Sequence, residues 1–222
     1  EEFLDYSSKQ IWKEIAEANG IQLVIDNNTS LKNLGGLNKL KEDVKNIAKI
    51  FKNYHKAQEL GVPVPKSIIL QGVQGAGKTE MAKAIATECD ARFMIFNMGN
   101  MFGSRLGETE NNLSNALSTF ESQKPVVVLI DEVDKMFLGM ESSGKSDAGT
   151  TARAIQSYLT YLSSDHPGVL LVHTANDLSK ISSTNPEFIR KGRHDQIYFV
   201  DFPDEKARLE IFKIHLTKMK AS

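Results

Sequence analysis

Leu70 to Ala86 reads LQGVQGAGKTEMAKAIA. A short β-rich run, Ser67–Gln71, leads into the stretch, and a helical pattern, Lys78–Glu88, leads out of it. Its glycines therefore sit at a strand-to-helix turn. Gly72, Gly75, Gly77, Lys78 and Thr79 fit the pattern G-x-x-x-x-G-K-T, with Ala76 inside it and Glu80 directly after it. Glycines let successive backbone N–H groups turn inward around a phosphate chain, and the helix N-terminus adds the positive end of its dipole. Lys78 supplies a compact cation for the β- and γ-phosphates. Thr79 offers a hydroxyl to Mg2+, an ion held through few protein ligands.

Outward from this loop, further β-rich runs alternate with helical segments. The runs are Arg92–Asn97, Val126–Asp131, Val169–Thr174 and Gln196–Val200, and the helices are Glu108–Glu121 and Ala148–Leu162. VVVLID and VLLVHT are apolar without alternation, as strands covered on both faces should be. The expected fold is α/β: a three-layer sandwich around a central five-stranded parallel sheet. Upstream, Tyr6–Ala18 has helical spacing, DNNTS is a polar loop, and Asn38–Leu60 reads as one long amphipathic helix stopped by Gly61 and VPVP. Gly139–Thr151 is a low-complexity loop, and Asp204–Lys218 is a helical pattern that runs out at the end of the chain. Three divisions follow: residues 1–30 as an N-terminal helix and linker, 31–203 as the α/β core, and 204–222 as what looks like the first helix of a further small domain.

The chain has 222 residues, 41% hydrophobic and 25% charged, a composition able to bury a real core. Its formal net charge of −1 excludes bulk attraction to nucleic acid or to anionic membrane. The single cysteine, Cys89, reads as a buried helical position, cannot form an internal disulfide and suits a reducing compartment. EEFLDY is acidic where a targeting segment is basic, and the longest purely apolar run, Val126–Ile130, is too short to span a bilayer. A cytoplasmic protein, or a stromal one if plastid-borne, is expected, with no membrane partner.

VVVLIDEVD carries the next chemical signal. Asp131 ends the apolar strand and could hold Mg2+ through its water shell, while Glu132 could orient and deprotonate an attacking water. An Asp-Glu pair after a strand also serves as an ordinary helix cap. Asp134 and Lys135 read as helix-start and surface residues. Asn176, in VLLVHTAND, either holds the attacking water against the γ-phosphate or makes a turn. Arg190 and Arg193 are three residues apart and can share a face. They serve either as phosphate-binding forks or as cations at a helix C-terminus.

Taken in order, these motifs resemble an AAA+ ATPase of the branch that includes katanin, spastin and the proteasomal ATPases. The resemblance covers Leu31 to Leu216. LKNLGGL resembles the segment that lines the adenine pocket, which implicates Leu34 and Gly36, with Asn33 replacing the usual acid. The phosphate loop, DEVD and TAND correspond to Walker A, Walker B and sensor 1. FIRKGRHD resembles the arginine-finger motif, and DFPDEKARLEIFKIHL, with Pro203 and Arg208, resembles the opening of the helical lid. GVQGAGKT, GTTAR and RKGRHD most resemble a poorly characterised cyanobacterial and algal-chloroplast AAA group. The resemblance implies ATP and Mg2+ as cofactors, hydrolysis of the anhydride bond, and a homo-oligomer, expected to be a hexamer. Arg190 and Arg193, with a weaker match at Arg153, would reach a neighbour's nucleotide. A ring that remodels a protein partner is the leading expectation. A nucleic-acid-associated motor or loader is the alternative, which the charge and the absence of helix-turn-helix or zinc motifs disfavour.

One departure stands out. Polypeptide-threading members carry an aromatic–apolar–Gly triplet before G-E-x-E, whereas this chain has Arg105-Leu106-Gly107, with Met101 and Phe102 nearby. Arginine grips acidic or aromatic groups rather than apolar chain.

Overall fold

The computed structural model describes residues 20–24, 27, 29–98, 108–135, 137 and 148–220. The expected helix at Tyr6–Ala18, the Arg105-Leu106-Gly107 triplet with Met101 and Phe102, and residues 139–147 of the low-complexity loop lie outside them.

The first described elements are a short strand β1 (Ile21–Val24), helix α1 (Asn38–Lys52) and helix α2 (Tyr54–Glu59). β2 (Ser67–Gln71), α3 (Lys78–Glu88), β3 (Arg92–Phe96), α4 (Glu108–Ser122) and β4 (Val126–Ile130) follow. α5 (Ala148–Ser163), β5 (Val169–Ala175), α6 (Leu178–Thr184), β6 (Gln196–Phe199) and α7 (Glu205–Lys220) complete the order. Among the described residues one sheet contains all six strands, in the order β1-β3-β4-β5-β2-β6. Its five strands from β3 to β6 are mutually parallel, as expected from the sequence.

β1 corrects the five-stranded expectation. It pairs antiparallel with β3, Ile21 opposite Phe96 and Val24 opposite Phe93, within a segment expected to be helix and linker. Four residues are too few to show a period, so the partner decides their conformation. The long helix expected over Asn38–Leu60 is also two helices. Asn53 Nδ2 donates to the Lys49 carbonyl at 3.0 Å, the acceptor that its own N–H would take in a continuous helix, and that N–H bonds Ile50 instead. A local side-chain bond thus competes with the helical ladder and ends it.

Alternate strand residues face opposite layers. Ile69, Val126, Val128, Ile130 and Leu171 pack under α4, α5 and α6 with Leu113, Phe120, Tyr158, Leu162 and Ile181. Ile68, Leu70, Val127, Leu129 and Val172 pack under α1 and α3 with Val44, Phe51, Met81 and Ile85. Both sheet faces are dry, which explains why VVVLI and VLLVHTA show no alternation and why their residues are all buried. Cys89 is buried at the end of α3, where burial pushes its thiol up to about 12. No helix among the described residues is long and apolar enough to cross a membrane.

Candidate functional site

Three connections meet where adjacent parallel strands end. β4, β5 and β2 are neighbours in the sheet, so the segments leaving their C-terminal ends converge. Ligands of open α/β sheets bind in this kind of crevice.

The glycines between β2 and α3 have separate reasons. A Cβ on Gly72 would land on the carbonyl oxygen of Val200, just beyond β6, so the loop passes that backbone too closely for any side chain. Gly75 and Gly77 have φ of +82° and +88°, and a Cβ there would meet open space. Their requirement is conformational, and they leave the loop's backbone uncovered.

Lys78 opens α3, is buried, and aims its ammonium back over the loop. Nζ donates to the carbonyls of Gly72 at 2.6 Å and Val73 at 3.0 Å, and to Asn176 Oδ1 at 3.0 Å. Burial holds its pKa below the ordinary lysine value, while Asp131, Asp134 and Glu132 act to raise it. Thr79 is half-buried beside it, and Ala76 packs against the α1–α3 side of the core. Glu80 lies on the outer face of α3, paired with Lys83 at 2.6 Å and accepting from Thr29 Oγ1 at 3.3 Å.

At the end of β4, Asp131 and Glu132 share one partner that the sequence reading did not single out. Thr174, buried on β5, donates its hydroxyl to Asp131 Oδ1 and accepts the Glu132 N–H at 2.9 Å. Glu132 has φ of +52°, a left-handed conformation unusual for glutamate. Its side chain pairs with Lys135 at 2.6 Å on an exposed surface. Asp134 stands at the start of a helical turn, as expected, but it is buried, and Oδ2 accepts the backbone N–H groups of Asn176 at 3.2 Å and Asp177 at 3.4 Å. The only sequence signals for these two were a hydroxyl and a carboxylate beside chemically obvious neighbours.

Gly36 lies against α7, and Leu34 packs against the α1–α3 side of the core. The Gly36 N–H donates to Glu210 Oε2 at 2.8 Å, and Lys41 Nζ donates to the Leu34 carbonyl at 2.6 Å. A Cβ on Gly36 would press on the Ala207 methyl, and one on Gly35 would press on Ile211 and the Ala207 carbonyl.

Arg190 and Arg193 are at the other end of the sheet. They precede β6, whose Gln196 pairs with Ile68 at the start of β2. The phosphate loop leaves the far end of β2, roughly 13 Å away at the rise of an extended strand. Arg193 is held against its own chain: Nε donates to Ser163 Oγ at 3.1 Å, and Nη1 bonds the Glu187 carbonyl. Arg190 is exposed, with a 3.4 Å contact to Glu187. Arg153 is also exposed, 3.5 Å from Glu110. Arg208 donates to the Pro203 carbonyl at 2.9 Å.

A family model described as "ATPase family associated with various cellular activities (AAA)" matches residues 68–202. The chain is 40% identical over 192 residues to the "Uncharacterized AAA domain-containing protein ycf46" of Guillardia theta, covering 86% of this chain and 37% of that protein. It is 39% identical over 189 residues to the protein of the same name from Pyropia yezoensis, covering 85% and 37%. The "Proteasome-activating nucleotidase" of Methanocaldococcus jannaschii is 32% identical over 200 residues, covering 86% and 45%. The chain thus spans less than half the length of the curated relatives it matches.

Proposed function

The chain belongs to the AAA family of ATPases, and we propose that it binds ATP with Mg2+ and hydrolyses it in the crevice above β4, β5 and β2. The observation that carries this reading is the convergence on Lys78 and Thr174. One ammonium touches both the phosphate loop and Asn176, and one hydroxyl joins Asp131 to Glu132. The donor set suits the ligands. Backbone N–H groups at Gly75–Lys78 and the α3 N-terminus favour phosphate oxygens, with Leu34 and Gly36 on the adenine side. The Thr79 hydroxyl and the Asp131 carboxylate suit Mg2+, which takes few protein ligands and would neutralise phosphate charge when bound. Lys78 donates to phosphate oxygens once it leaves the loop carbonyls. Glu132, released from Lys135, takes a proton from the attacking water, and Asn176 orients that water.

Arg190 and Arg193 lie at the opposite end of the sheet from their own phosphate loop, which supports their acting on a neighbouring copy. Such arginines contribute roughly 10³–10⁵ in rate in phosphate-loop enzymes. That geometry supports an assembly of subunits, and the family resemblance makes a hexameric ring its expected form. Residues 31–203 form the ATPase core in this reading, and 204–222 open a helical lid. Leu209, Phe212 and Leu216 on α7 are exposed apolar residues at helical spacing, which supports a packing role for that face of the lid helix. The similarity to a proteasome-activating nucleotidase supports a protein partner as the remodelled substrate.

Two variants test the core of this reading. Lys78→Ala should lose ATP binding, measured with a fluorescent nucleotide. Glu132→Gln should bind ATP yet release no phosphate, and wild-type phosphate release by Glu132→Gln would overturn the assignment of the base.

A further inference from the structure

A line of buried polar side chains, unused by the nucleotide site, runs beneath the loop that carries Arg190 and Arg193. His194 Nε2 lies 2.9 Å from the Phe188 carbonyl, and its Nδ1 lies 2.7 Å from Ser67 Oγ. Ser67 Oγ is 3.3 Å from His173 Nδ1, and His173 Nε2 is 2.6 Å from the Tyr158 hydroxyl. Ser67, His173 and Tyr158 are fully buried.

Only one placement of protons satisfies these four contacts. Burial depresses both imidazoles, His194 to about 4 and His173 well below its usual value, so each ring is neutral with one N–H and one lone pair. The Phe188 carbonyl can only accept, so His194 carries its proton on Nε2 and presents a lone pair at Nδ1. Ser67 must then donate to His194 and accept from His173 Nδ1–H. That leaves the His173 Nε2 lone pair for the Tyr158 hydroxyl proton. Reversing any link would set two lone pairs or two protons against each other.

The line joins α5, β5 and β2 to a segment with little regular structure of its own. Asp195 fastens the same segment from the other side: its Oδ2 accepts the N–H groups of Lys66 at 2.6 Å and Ser67 at 2.9 Å. The Asp195 N–H in turn donates to the Ser67 carbonyl at 2.7 Å. Ser67 therefore engages residues 194 and 195 through its N–H, its carbonyl and its hydroxyl. His173 is one residue from Thr174, so the strand that aligns Asp131 and Glu132 also anchors the arginine loop.

We propose that Tyr158, His173, Ser67 and His194 form a directed hydrogen-bond relay that positions Arg190 and Arg193 for hydrolysis at a neighbouring subunit's site. The inference rests on the reading of those arginines as acting across an interface. Catalytic groups must be held to about 0.5 Å; Arg193 is bonded to Ser163 and the Glu187 carbonyl, Arg190 is exposed, and the loop backbone that carries both needs a rigid underlayer. A neutral relay supplies direction without adding another cation beside Arg193.

Ser67→Ala and Tyr158→Phe, made in the full chain, test the relay through ATPase rate, nucleotide affinity and melting temperature. Each variant is assayed alone and mixed with Lys78→Ala subunits, whose phosphate loop is disabled but whose arginine loop is intact. Ser67→Ala alone should lose tenfold or more in turnover with nucleotide affinity unchanged within twofold. Mixing should restore turnover, because the Lys78→Ala neighbour presents correctly placed arginines to the intact site of the Ser67→Ala subunit. Tyr158→Phe should show the same pattern more weakly, and it decides the matter if Ser67→Ala does not fold. A mixture of Arg193→Ala with Lys78→Ala is the control. If the control is rescued but the relay variants are not, or if they keep wild-type turnover alone, the relay proposal is overturned and the arginine reading stands. If the control is not rescued, the action of the arginines across an interface fails, and the relay proposal fails with it.

Discussion

Thr174→Val tests how far the site depends on a residue that touches no nucleotide in the proposed mechanism. Valine matches the shape of threonine, so the change removes one hydroxyl and leaves packing on β5 almost intact. Two bonds go with it: the donation to Asp131 Oδ1 and the acceptance of the Glu132 N–H at 2.9 Å. A hydrogen bond to a charged group contributes about 1.5–3 kcal/mol, and an orphaned buried donor costs about 1–3 kcal/mol. Asp131 is exposed and recovers part of its loss from water, whereas the Glu132 N–H beneath a left-handed residue is less able to. The expected net loss is about 2–3 kcal/mol of folding stability, read as a shift in urea midpoint with the slope unchanged. If the same misalignment reaches the transition state, turnover falls by roughly 10- to 100-fold. Thr174→Ser keeps the hydroxyl and should retain most activity. Phosphate release by Thr174→Val within twofold of wild type, with an unmoved urea midpoint, would refute the argument that this hydroxyl aligns the two acids.

Two further expectations can be checked with the same protein. Gly72→Ala would drive a methyl onto the Val200 carbonyl, separating the loop from the segment after β6, so it should lower the melting temperature and weaken nucleotide binding, whereas Gly61→Ala, at an exposed turn with open space and a φ of +66°, should cost only the backbone strain of about 1 kcal/mol. Equal losses in the two variants would show that the contact with Val200 is not decisive. The second expectation concerns pH. His194 titrates near 4 in the folded chain against a usual 6.5, so the unfolded chain binds more protons between those values. Its stabilisation is complete above about pH 6.5 and is lost toward about pH 4, with roughly 2 kcal/mol gone at pH 5. His173 acts in the same direction. Urea unfolding at pH 7.5 and at pH 5 should show a smaller pH difference in His194→Leu than in the wild type, and identical differences would exclude the buried neutral imidazole.

The parts of the site that were legible in advance are those written within a few neighbouring residues. The phosphate loop needs glycine where φ is positive, and its flanking strand and helix carry their own periods, so Gly75, Gly77 and Lys78 announce themselves locally. The same holds for the five parallel strands, whose buried faces show as unbroken apolar runs. β1 was not legible, because four residues become a strand only by pairing with β3, as Ile21 does with Phe96 far along the chain. The break at Asn53 was missed because one amide competing for the Lys49 carbonyl leaves the amphipathic pattern intact.

Sequence by itself determined the chemical inventory and the connections that carry it: a phosphate loop, an Asp-Glu pair after one strand, an asparagine after another and two arginines before a third. Tertiary structure decided which of these meet. The order β4-β5-β2 sets Asn176 against Lys78 over ninety-eight positions of sequence and slips Thr174 between Asp131 and Glu132. The parallel pairing of β6 with β2 sends Arg190 and Arg193 to the opposite end of the sheet. Periodicity records which face of a strand is buried, and strand order comes from packing among distant elements, so no window of sequence contains it.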